Sequence, residues 1–373
     1  MTYRICERCA IDSTVPDVFF DEKGICNHCK IYDEIDGRFS NPSEREQRLR
    51  EIIDKIKQGG NGKEYDCIVG ISGGQDSTYT LYMAHKLGLT PLAVHFDNGW
   101  NSKKSIRNIK KITSKLNIDL YTYVVDWDEF KDLQISFLKA SVSDAEIPTD
   151  IAIKEVLYKT AVQNGVKTIL YSGSNYRTEG KIPKDWTYMD GRYVKAVHRK
   201  FGSIKLKSYP NYTLWSIFYY HFVKKIKAVR LLELIEFNSN DVITTLETEL
   251  DWEYYGGKHF ESVYTKFFQS YFLPKKFGID KRRVHYSALI RSGQNTRAEI
   301  LSKLNQDPYD SKTIKRDLEY VRKKLELSAK EFENIIDRPK RSYKNYPTYD
   351  STREKLLPII IFLKKLGLWP RIA

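Results

Sequence analysis

The segment at residues 72–77, Ser-Gly-Gly-Gln-Asp-Ser, combines residue types that bind phosphate and Mg²⁺. Gly73 and Gly74 lack a Cβ atom, so their backbone N–H groups can close on an anion and can adopt a positive φ. Ser72 and Ser77 can donate hydroxyl hydrogen bonds to phosphate, whereas the carboxylate of Asp76 is better suited to Mg²⁺. No lysine follows the glycines, so the segment differs from the nucleotide-binding pattern GxxxxGK followed by Ser or Thr. We therefore predict a phosphate-binding loop of another kind, with ATP as its ligand.

The residues on either side predict the elements that position this loop. A short apolar run rich in β-branched side chains, residues 65–71, is typical of a strand, and a helical pattern follows the loop. The N-terminus of that helix offers unpaired backbone amides and the positive end of the helix dipole, which favour a polyphosphate. The alternative is an ordinary strand-to-helix connection in which a side chain caps the helix.

Strand and helix patterns continue to alternate after the loop. Strands are predicted at residues 91–96, 120–125 and 168–171, and helices at residues 79–87, 102–116 and 150–164. This alternation predicts an α/β domain with a parallel sheet, in which ligands bind at the carboxyl ends of the strands. Polar residues follow the strands there, notably around residues 95–98 and 173–175. The predicted ATP-binding residues are Ser72, Gly73, Gly74, Asp76, Ser77, Asp97, Gly173 and Asn175.

Four cysteines near the N-terminus form two CxxC pairs separated by sixteen residues: Cys6, Cys9, Cys26 and Cys29. Two such pairs can supply four thiolates to a tetrahedral zinc ion, which would fold a segment too short to hold its own core. The alternatives are disulfides, which a chain without a signal peptide disfavours, and an iron–sulfur cluster, which prefers less symmetric spacing. We expect a structural zinc site with no open position for catalysis, and His28 exposed outside it.

Composition limits the class of protein. The chain has 373 residues, 41% of them hydrophobic, which is enough for two or three packed units. No run of about 18 apolar residues and no signal-peptide core is present, so we expect a soluble cytoplasmic protein without a transmembrane segment. The formal net charge is +14. Residues 184–230 hold eleven Lys or Arg against two Asp and no Glu, so most of the excess lies there.

The loop and several other blocks resemble known families. The loop is similar to the SGGxDS signature of the PP-loop ATP pyrophosphatases, which cleave ATP to AMP and pyrophosphate and adenylate a carbonyl or amide oxygen. The chain further resembles the N-acetyl sugar amidotransferase family of bacterial lipopolysaccharide, O-antigen and surface-sugar biosynthesis, from about residue 6 to about residue 327. The blocks that carry this likeness are CERCAIDSTVPDVFFDEKGICNHC, SGGQDSTY, EIPTDIAI, GSNYRTEG, WEYYGGKHFESVYTKFF and SGQNTR.

The resemblance implies an architecture and a reaction. It implies a PP-loop domain of the HUP type, related to the adenine nucleotide alpha hydrolases, at residues 46–200. An N-terminal zinc ribbon would occupy residues 1–45 and a mainly helical substrate- or partner-binding region residues 201–373. Family members convert an acetamido group on a nucleotide-linked or free sugar acid to an acetamidino group. ATP with Mg²⁺ would adenylate the amide oxygen, and ammonia from a separate glutaminase and cyclase-like pair of subunits would displace AMP.

Polar blocks outside the loop are the candidate catalytic and substrate-binding residues. His259 or Glu261 could shuttle a proton from ammonia, and Asp76 completes the predicted catalytic set. An arginine at position 177 could clamp a sugar carboxylate or diphosphate. The predicted substrate-binding residues are Glu146, Asp150, Arg177, Glu179, Lys181 and Lys258. Each could instead be a solvated surface charge, and Asp150 could be only a helix N-cap. Gln75 stands where many relatives carry Lys, so the source of one phosphate contact is open.

The remaining sequence carries weaker signals. Residues 212–237 place aromatic residues ahead of lysines, a pattern that fits nucleic acid, a membrane surface, an anionic sugar nucleotide, a partner protein, or a core helix with a basic outer face. Residues 351–372 predict an apolar helix that docks back on the core. Cys67, the fifth cysteine, lies in the strand before the loop, where a lone cysteine is most often a small buried hydrophobe.

Three functions remain open from the sequence. The first is the amidine-forming ligase, which is expected to bind no nucleic acid. The second is a tRNA-modifying PP-loop enzyme of the lysidine or thiolating type, with the basic segment and the ribbon binding RNA; the lack of a catalytic-domain cysteine other than Cys67 disfavours thiolation. The third is a nucleotide-gated scaffold for a glutaminase that does no chemistry itself. The chain has no glutaminase signature of its own, so a separate ammonia source is expected.

Overall fold

A five-stranded parallel sheet forms the centre of the protein. A computed structural model of the chain describes residues 2–173, 175–309 and 311–365. The strands are β1 Cys67–Gly70, β2 Pro91–Asp97, β3 Leu120–Val124, β4 Thr168–Leu170 and β5 Lys227–Val229, in the order β3-β2-β1-β4-β5. The order reverses between β1 and β4, which places a crevice beyond their carboxyl ends. The predicted α/β fold is confirmed, and the last three predicted strands end within one residue of those observed.

Fifteen helices lie among the described residues. They are α1 Asn27–Asp36, α2 Pro42–Gly60, α3 Gln75–Lys86, α4 Lys103–Lys115, α5 Trp127–Ala140, α6 Ile147–Gln163, α7 Gly191–Phe201, α8 Leu214–Phe218, α9 Ser239–Leu250, α10 Val263–Phe267, α11 Arg282–Arg291, α12 Arg297–Leu304, α13 Ser311–Lys324, α14 Ala329–Asp337 and α15 Asp350–Lys365. Helices α8 and α10 continue as π-helical segments, Tyr219–Val223 and Phe268–Phe277. The C-terminal region is thus mainly helical, as predicted.

Helices cover both faces of the sheet. Successive residues of β1 point to opposite faces, because side chains alternate along a strand. Ile68 packs in one apolar cluster with Phe130 and Phe267, and Val69 packs in the other with Leu81 and Trp252. Both clusters draw on residues beyond position 201, so the C-terminal region contributes to the core of the sheet. Cys67 is fully buried, as expected.

The structure differs from expectation in the C-terminal region. Strand β5 extends the sheet from a segment whose pattern gave only helix, because its three residues are too few to show a period. Helix α15 does not dock as predicted: Leu356, Leu357, Ile361 and Phe362 are 42–60% exposed. That expectation is wrong for these four side chains, and residues 366–372 lie outside the described part of the chain. None of the described helices is long and apolar enough to cross a membrane.

Candidate functional site

The SGGQDS loop connects β1 to α3 at the carboxyl edge of the sheet. Gly73 has a φ of +75°, and a Cβ atom there would overlap the carbonyl oxygen of Ser105, so the position requires glycine. The hydroxyl oxygens of Ser72 and Ser77 lie 3.1 Å apart, and the backbone N–H of Gly74 donates to Ser72 Oγ at 3.3 Å. A tight glycine turn with two hydroxyls at a helix N-terminus fits a polyphosphate.

A distant segment, residues 252–262, covers this loop; we call it the cover segment. Trp252 Nε1 donates to the carbonyl oxygen of Gly73 at 3.0 Å, and the backbone N–H of Gln75 donates to Tyr255 Oη at 3.0 Å. The carboxyl group of Glu261 lies where a Cβ atom on Gly74 would meet it, at 3.2 Å. The loop is therefore fixed by contacts from residues about 180 positions away in the sequence.

Five charged side chains form a network between the loop and the cover segment. Lys258 Nζ lies 3.1 Å from Asp76 Oδ2 and 3.6 Å from Glu179 Oε1. His259 Nε2 lies 3.2 Å from Glu179 Oε1, and its Nδ1 lies 3.9 Å from Glu261 Oε1. The network thus brings together two of the predicted substrate-binding residues and all three predicted catalytic residues.

Burial and charge fix the protonation of this network. Burial raises the pKa of Asp76 even though Lys258 lies beside it. Glu179 is also buried, but Lys258 and His259 hold its pKa well below the usual range. Burial opposes the charge of His259, yet the carboxylates of Glu179 and Glu261 raise its pKa to about 10. At neutral pH His259 is therefore a cation that can donate two hydrogen bonds. It must release a proton before it can act as a base.

The backbone of the cover segment turns sharply at these residues. Gly256 has a φ of +100°, and His259 has a φ of +63°, in the left-handed region that non-glycine residues rarely adopt. Such a conformation costs free energy and persists only where its surroundings hold it. The ion pairs of His259 on both sides supply that restraint.

A cavity of about 680 Å³ opens beyond the carboxyl ends of the strands. The loop forms one end through Ser72 and Ser77, and an acidic group forms the other through Asp144, Glu146 and Asp150. This volume lies in the range of small-molecule sites.

The acidic end is balanced by one buried lysine. Glu146 Oε2 lies 3.3 Å from Lys281 Nζ and accepts a hydrogen bond from Gln269 Nε2 at 2.9 Å. Burial, with Asp144 and Glu146 nearby, raises the pKa of Asp150 to about 7. Asp150 lies in the first turn of α6 and does not cap that helix, which begins at Ile147. Its carboxylate has no hydrogen-bond partner among the described residues and is available to a ligand.

His285 also lines the cavity and is held neutral. Its Nδ1 lies 3.1 Å from the carbonyl oxygen of Glu179, so this nitrogen carries the proton. Burial and the charge of His259 lower the pKa of His285 to about 3. Its Nε2 is buried without a partner among the described residues. The cationic ring of His259 and the neutral ring of His285 therefore lie side by side, with their centres 5.4 Å apart.

The structure places most of the predicted site residues at this cavity. Those that line it are Ser72, Ser77, Glu146, Asp150, Gly173, Glu179, Lys181, His259 and Glu261. Gly73, Gly74, Asp76 and Lys258 lie directly behind, in the loop and its ion pair. His95, in the predicted wall at the end of β2, lines the cavity, and its Nδ1 donates to the carbonyl oxygen of Ile71, 2.9 Å away.

Three predicted residues lie away from the lining. Asp97 Oδ1 accepts hydrogen bonds from the Gly99 backbone at 2.8 Å and from Asn101 Nδ2 at 2.9 Å, so it holds the turn after β2. Asn175 is buried and its Oδ1 accepts from the backbone N–H of Arg177 at 3.1 Å. Arg177 lies at a second cavity, beside a neighbouring face of α1.

Sequence reasoning did not identify five residues of the site: Asp144, Trp252, Tyr255, Lys281 and His285. Asp144, Lys281 at the start of α11 and His285 within it lie in no quoted motif, and only the fold brings them to the cavity. Trp252 and Tyr255 do lie in the block WEYYGGKHFESVYTKFF. Its Gly-Gly turn was the available signal that the whole block folds over a ligand site.

The four N-terminal cysteines form a compact cluster suited to a metal ion. Cys6 and Cys29 Sγ lie 3.9 Å apart, and Cys26 Sγ lies 3.7 Å from both Cys9 and Cys29 Sγ. Four sulfurs at about 2.3 Å from a tetrahedral zinc ion would lie about 3.8 Å apart, so the spacing fits this metal. All four side chains are fully buried. His28 is buried at 7% exposure, not exposed as expected, because α1 turns it toward the molecule; burial lowers its pKa to about 4.

Comparisons with known proteins divide the chain into two parts. The family model of the LPS biosynthesis protein WbpG-like C-terminal domain matches residues 261–358, and that of the queuosine biosynthesis protein QueC matches residues 66–176. No curated protein matches the chain. The solved structure of NMN synthetase from Francisella tularensis is similar at 16% identity over 77% of this chain and 97% of its own, with a TM-score of 0.32. The U34-tRNA thiolase NcsA from Methanococcus maripaludis, solved with its 4Fe-4S cluster, is similar at 15% identity over 82% of this chain and 90% of its own, with a TM-score of 0.33.

Proposed function

Because this chain is a PP-loop protein with a WbpG-like C-terminal domain, we propose that it is an ATP-dependent amidotransferase acting on an N-acetylated sugar. The reaction would convert an acetamido group to an acetamidino group, with AMP and pyrophosphate as the other products. The sugar would be nucleotide-linked or a sugar acid. A separate glutaminase with a cyclase-like subunit would supply the ammonia.

One observation carries this proposal: the two matched parts of the chain build the same cavity. The loop with Ser72 and Ser77 lies in the QueC-like part, and Glu261, Lys281 and His285 lie in the WbpG-like part. The predicted ATP-binding loop and residues of a domain named for lipopolysaccharide biosynthesis thus line one cavity. A sugar held by the second could be activated by ATP held at the first.

The proposed chemistry has two steps. In the first, the amide oxygen of the sugar attacks the α-phosphorus of ATP, a P–O bond forms, and the bond to pyrophosphate breaks. In the second, ammonia attacks the amide carbon, a C–N bond forms, the C–O bond breaks, and AMP leaves while the nitrogen loses a proton. The first step is needed because an amide oxygen is a poor leaving group until it carries a phosphoryl group.

The residues of the site suit these steps. The helix-terminal amides after Gly74 and the hydroxyls of Ser72 and Ser77 would hold the phosphates, and Lys258 and His259 would stabilise negative charge that develops on pyrophosphate. Asp76 would hold Mg²⁺, which would neutralise phosphate charge when bound. Glu146 and Asp150 would accept hydrogen bonds from sugar hydroxyls, and Asp150 or His285 could take the proton that the nitrogen releases.

Mass spectrometry tests the proposal directly. The protein is incubated with ATP, Mg²⁺, ammonium and a panel of N-acetylated sugar nucleotides and sugar acids. We expect a product one mass unit lighter than its substrate, because NH replaces O, together with an equal amount of AMP. Formation of ADP in place of AMP would contradict adenylation, and a substrate-independent release of AMP would contradict the assignment of a sugar.

The second candidate function is tRNA modification by adenylation of a base. Residues 184–230, with their eleven Lys or Arg, favour it, since RNA binding needs positive charge. The test is retention of tRNA at increasing salt. Affinity that falls steeply with salt, together with AMP release that depends on tRNA, would favour this function over the first.

A further inference from the structure

A second cavity, of about 840 Å³, lies beside a neighbouring face of α1. The two cavities share no lining residue: Ile31 and Ile35 of α1 face the first, whereas Tyr32 and Asp36 face the second. Tyr176 and Arg177 are divided between them in the same way. The second cavity is therefore a separate compartment, one helix away from the loop.

Two buried arginines line this second cavity. Arg177 is 7% exposed and Arg291 is 8% exposed, and neither forms an ion pair with a carboxylate among the described residues. A buried guanidinium keeps its charge at every physiological pH, so it cannot escape the cost of burial by losing a proton. Buried charges in proteins are normally paired, so two unpaired ones at a cavity indicate a missing anionic partner.

The contacts of these arginines leave donors free. Arg177 Nη1 donates to the carbonyl oxygens of Leu232 at 3.0 Å and Ile235 at 3.4 Å, and its guanidinium lies 4.6 Å from the ring centre of Tyr176. These contacts fix its plane but supply no negative charge. Arg291 Nη1 lies 3.7 Å from Cys9 Sγ, and its Nε is buried without a partner among the described residues. A metal-bound thiolate at Cys9 would offset part of the positive charge of Arg291, whereas Arg177 has no such partner.

The acidic residues of the cavity are engaged elsewhere or lie apart from the arginines. Glu236 pairs with Arg45 at 2.9 Å, and Asp36 accepts a hydrogen bond from Tyr176 Oη at 2.9 Å. Asp241 lies in the first turn of α9, where a carboxylate favours the helix dipole. These three carboxylates keep the cavity from being strongly basic as a whole. Arg177 and Arg291 are the buried cations of its lining.

We propose that this second cavity binds a phosphate-bearing ligand through Arg177 and Arg291. A guanidinium offers two parallel N–H donors that match two oxygens of a phosphate, and two guanidiniums can hold one phosphate from both sides. Aromatic side chains, including Phe39 and Tyr79, line the cavity and offer faces against which a base or sugar ring can pack. A nucleoside diphosphate and free inorganic phosphate share this chemistry. The site does not depend on the proposed amidotransferase reaction.

The test is a phosphate titration with the first cavity filled. The full-length metal-loaded protein is saturated with a non-hydrolysable ATP analogue, and inorganic phosphate and UDP are then titrated separately by calorimetry. We expect one phosphate to bind per chain, and the Kd to rise at least tenfold in Arg177→Gln and in Arg291→Gln. The matched control is Arg107→Gln, since Arg107 is exposed, paired with Glu253, and lines neither cavity.

The two arms also identify the source of the phosphate. UDP binding at least tenfold tighter than inorganic phosphate would assign the cavity to a nucleotide, and equal affinity would assign it to an inorganic anion. No heat of binding from either ligand, or equal affinity in wild type and Arg177→Gln, would overturn the proposal. Thermal melting checks that each variant folds. If Arg177→Gln does not fold, Arg177→Lys replaces it, since lysine keeps the positive charge but lacks the paired N–H donors of the guanidinium. An unchanged Kd for phosphate in both Arg177→Lys and Arg291→Gln would equally overturn the proposal.

Discussion

Asp76 has two competing partners in the proposed reaction. Its carboxylate lies 3.1 Å from Lys258 Nζ and 3.4 Å from Thr178 Oγ1. Burial raises its pKa, so the carboxylate depends on a neighbouring cation to remain charged. Mg²⁺ at Asp76 would release Lys258 toward the phosphates. Gln75 cannot make this contact, because its side chain is hydrogen-bonded to Ser239 at 2.9 Å.

Replacing Asp76 with Asn should abolish AMP formation while the fold stays intact. The amide has the same shape but cannot bind Mg²⁺ as a carboxylate does, and we expect a loss of at least ~10²-fold in kcat. The measurement is substrate-dependent exchange of labelled pyrophosphate into ATP. Asp241→Asn, an exposed carboxylate outside the loop, is the control. Turnover within twofold of wild type in Asp76→Asn would contradict the Mg²⁺ assignment.

The charge of His259 should appear in the pH dependence of stability. Its pKa is about 10 in the folded protein against an ordinary value of 6.5, so its ion pairs with Glu179 and Glu261 stabilise the fold fully below about pH 6.5. This stabilisation is lost as the pH rises through about 10. We expect the Tm of wild type to exceed that of His259→Gln at pH 6.5 and the difference to shrink toward pH 10. His85→Gln, at an exposed position, should show no such trend; a difference independent of pH would contradict the assigned charge.

Local sequence identified one half of the site and not the other. The loop could be predicted because its glycines, hydroxyls and carboxylate are adjacent in the chain and dictate a turn by themselves. Lys281 and His285 could not be predicted as site residues. They lie four positions apart at the start of α11, and this spacing is the same whether the side chains face a cavity or the core. Arg177 was predicted to bind substrate beside the loop, but its side chain lines the second cavity, because Tyr176 and Arg177 point to different sides of the chain.

Among the elements, the cover segment and the ribbon position the site from outside the sheet. The cover segment contacts the loop through Trp252, Tyr255 and Lys258. The ribbon rests on the C-terminal helices, since Arg297 donates to the carbonyl oxygens of Cys6 and Cys9 at 2.9–3.2 Å. Helix α11 lies between the two and carries His285 toward the cavity and Arg291 toward Cys9. A change in the ribbon should therefore reach the cavity through α11.

Replacing Tyr255 with Phe should weaken ATP binding. The hydroxyl accepts the backbone N–H of Gln75, so its removal leaves that group unpaired and loosens the loop. A lost hydrogen bond of about 0.5–1.5 kcal/mol corresponds to an increase of ~2- to 10-fold in KM for ATP. Steady-state kinetics with AMP as the measured product tests this. Tyr254→Phe is the control, since its ring is 45% exposed and adjacent; an equal effect in both variants would contradict the specific role.

Removing the metal should destabilise the ribbon and, through α11, the cavity. We expect one zinc per chain by elemental analysis. Treatment with a chelator, or the change Cys9→Ser, should lower the Tm by at least ~5 °C, because a structural zinc site contributes folding free energy. Cys67→Ser is the matched cysteine control for metal content, since Cys67 lies in β1. A full zinc complement in Cys9→Ser, or its absence from wild type, would contradict this site.

Element prediction succeeded where a period was long enough to read. Strands β2 and β3 and helix α4 have five or more residues, and their bounds were predicted to within one residue at each end. Strand β5 has three residues, and the sheet edge that it completes is formed by a long-range pairing with β4. The apolar pattern of α15 suggested docking on the core. Such a pattern shows only that burial of these side chains would be favourable, not that the fold buries them. Whether the core has room for it is a property of the whole fold.

At the scale of the whole molecule, the cavity and the aromatic and basic segment at residues 215–227 lie at opposite edges of the sheet. Strand β5 begins at Lys227, which pairs in register with the first residue of β4, so residues 215–227 lie at the amino edge. The cavity lies at the carboxyl edge, beyond Leu170. Exposed side chains in this segment include Trp215 at 70% and Phe218 at 47%. Their rings already pack on one another, with centres 5.5 Å apart.

This separation distinguishes a small-molecule enzyme from one that acts on RNA. Changing Trp215 and Phe218 to Ala, and Lys224, Lys225 and Lys227 to Gln, should leave kcat and KM for a small sugar substrate within about twofold of wild type, because no catalytic group moves. An RNA-modifying enzyme would depend on these residues, since phosphate contacts supply much of RNA affinity. The measurement compares turnover of the sugar and salt-dependent tRNA retention in both proteins. A tenfold loss of sugar turnover would contradict the placement of the patch away from the site, and AMP release that requires tRNA and fails in the variant would replace the sugar with RNA as the substrate.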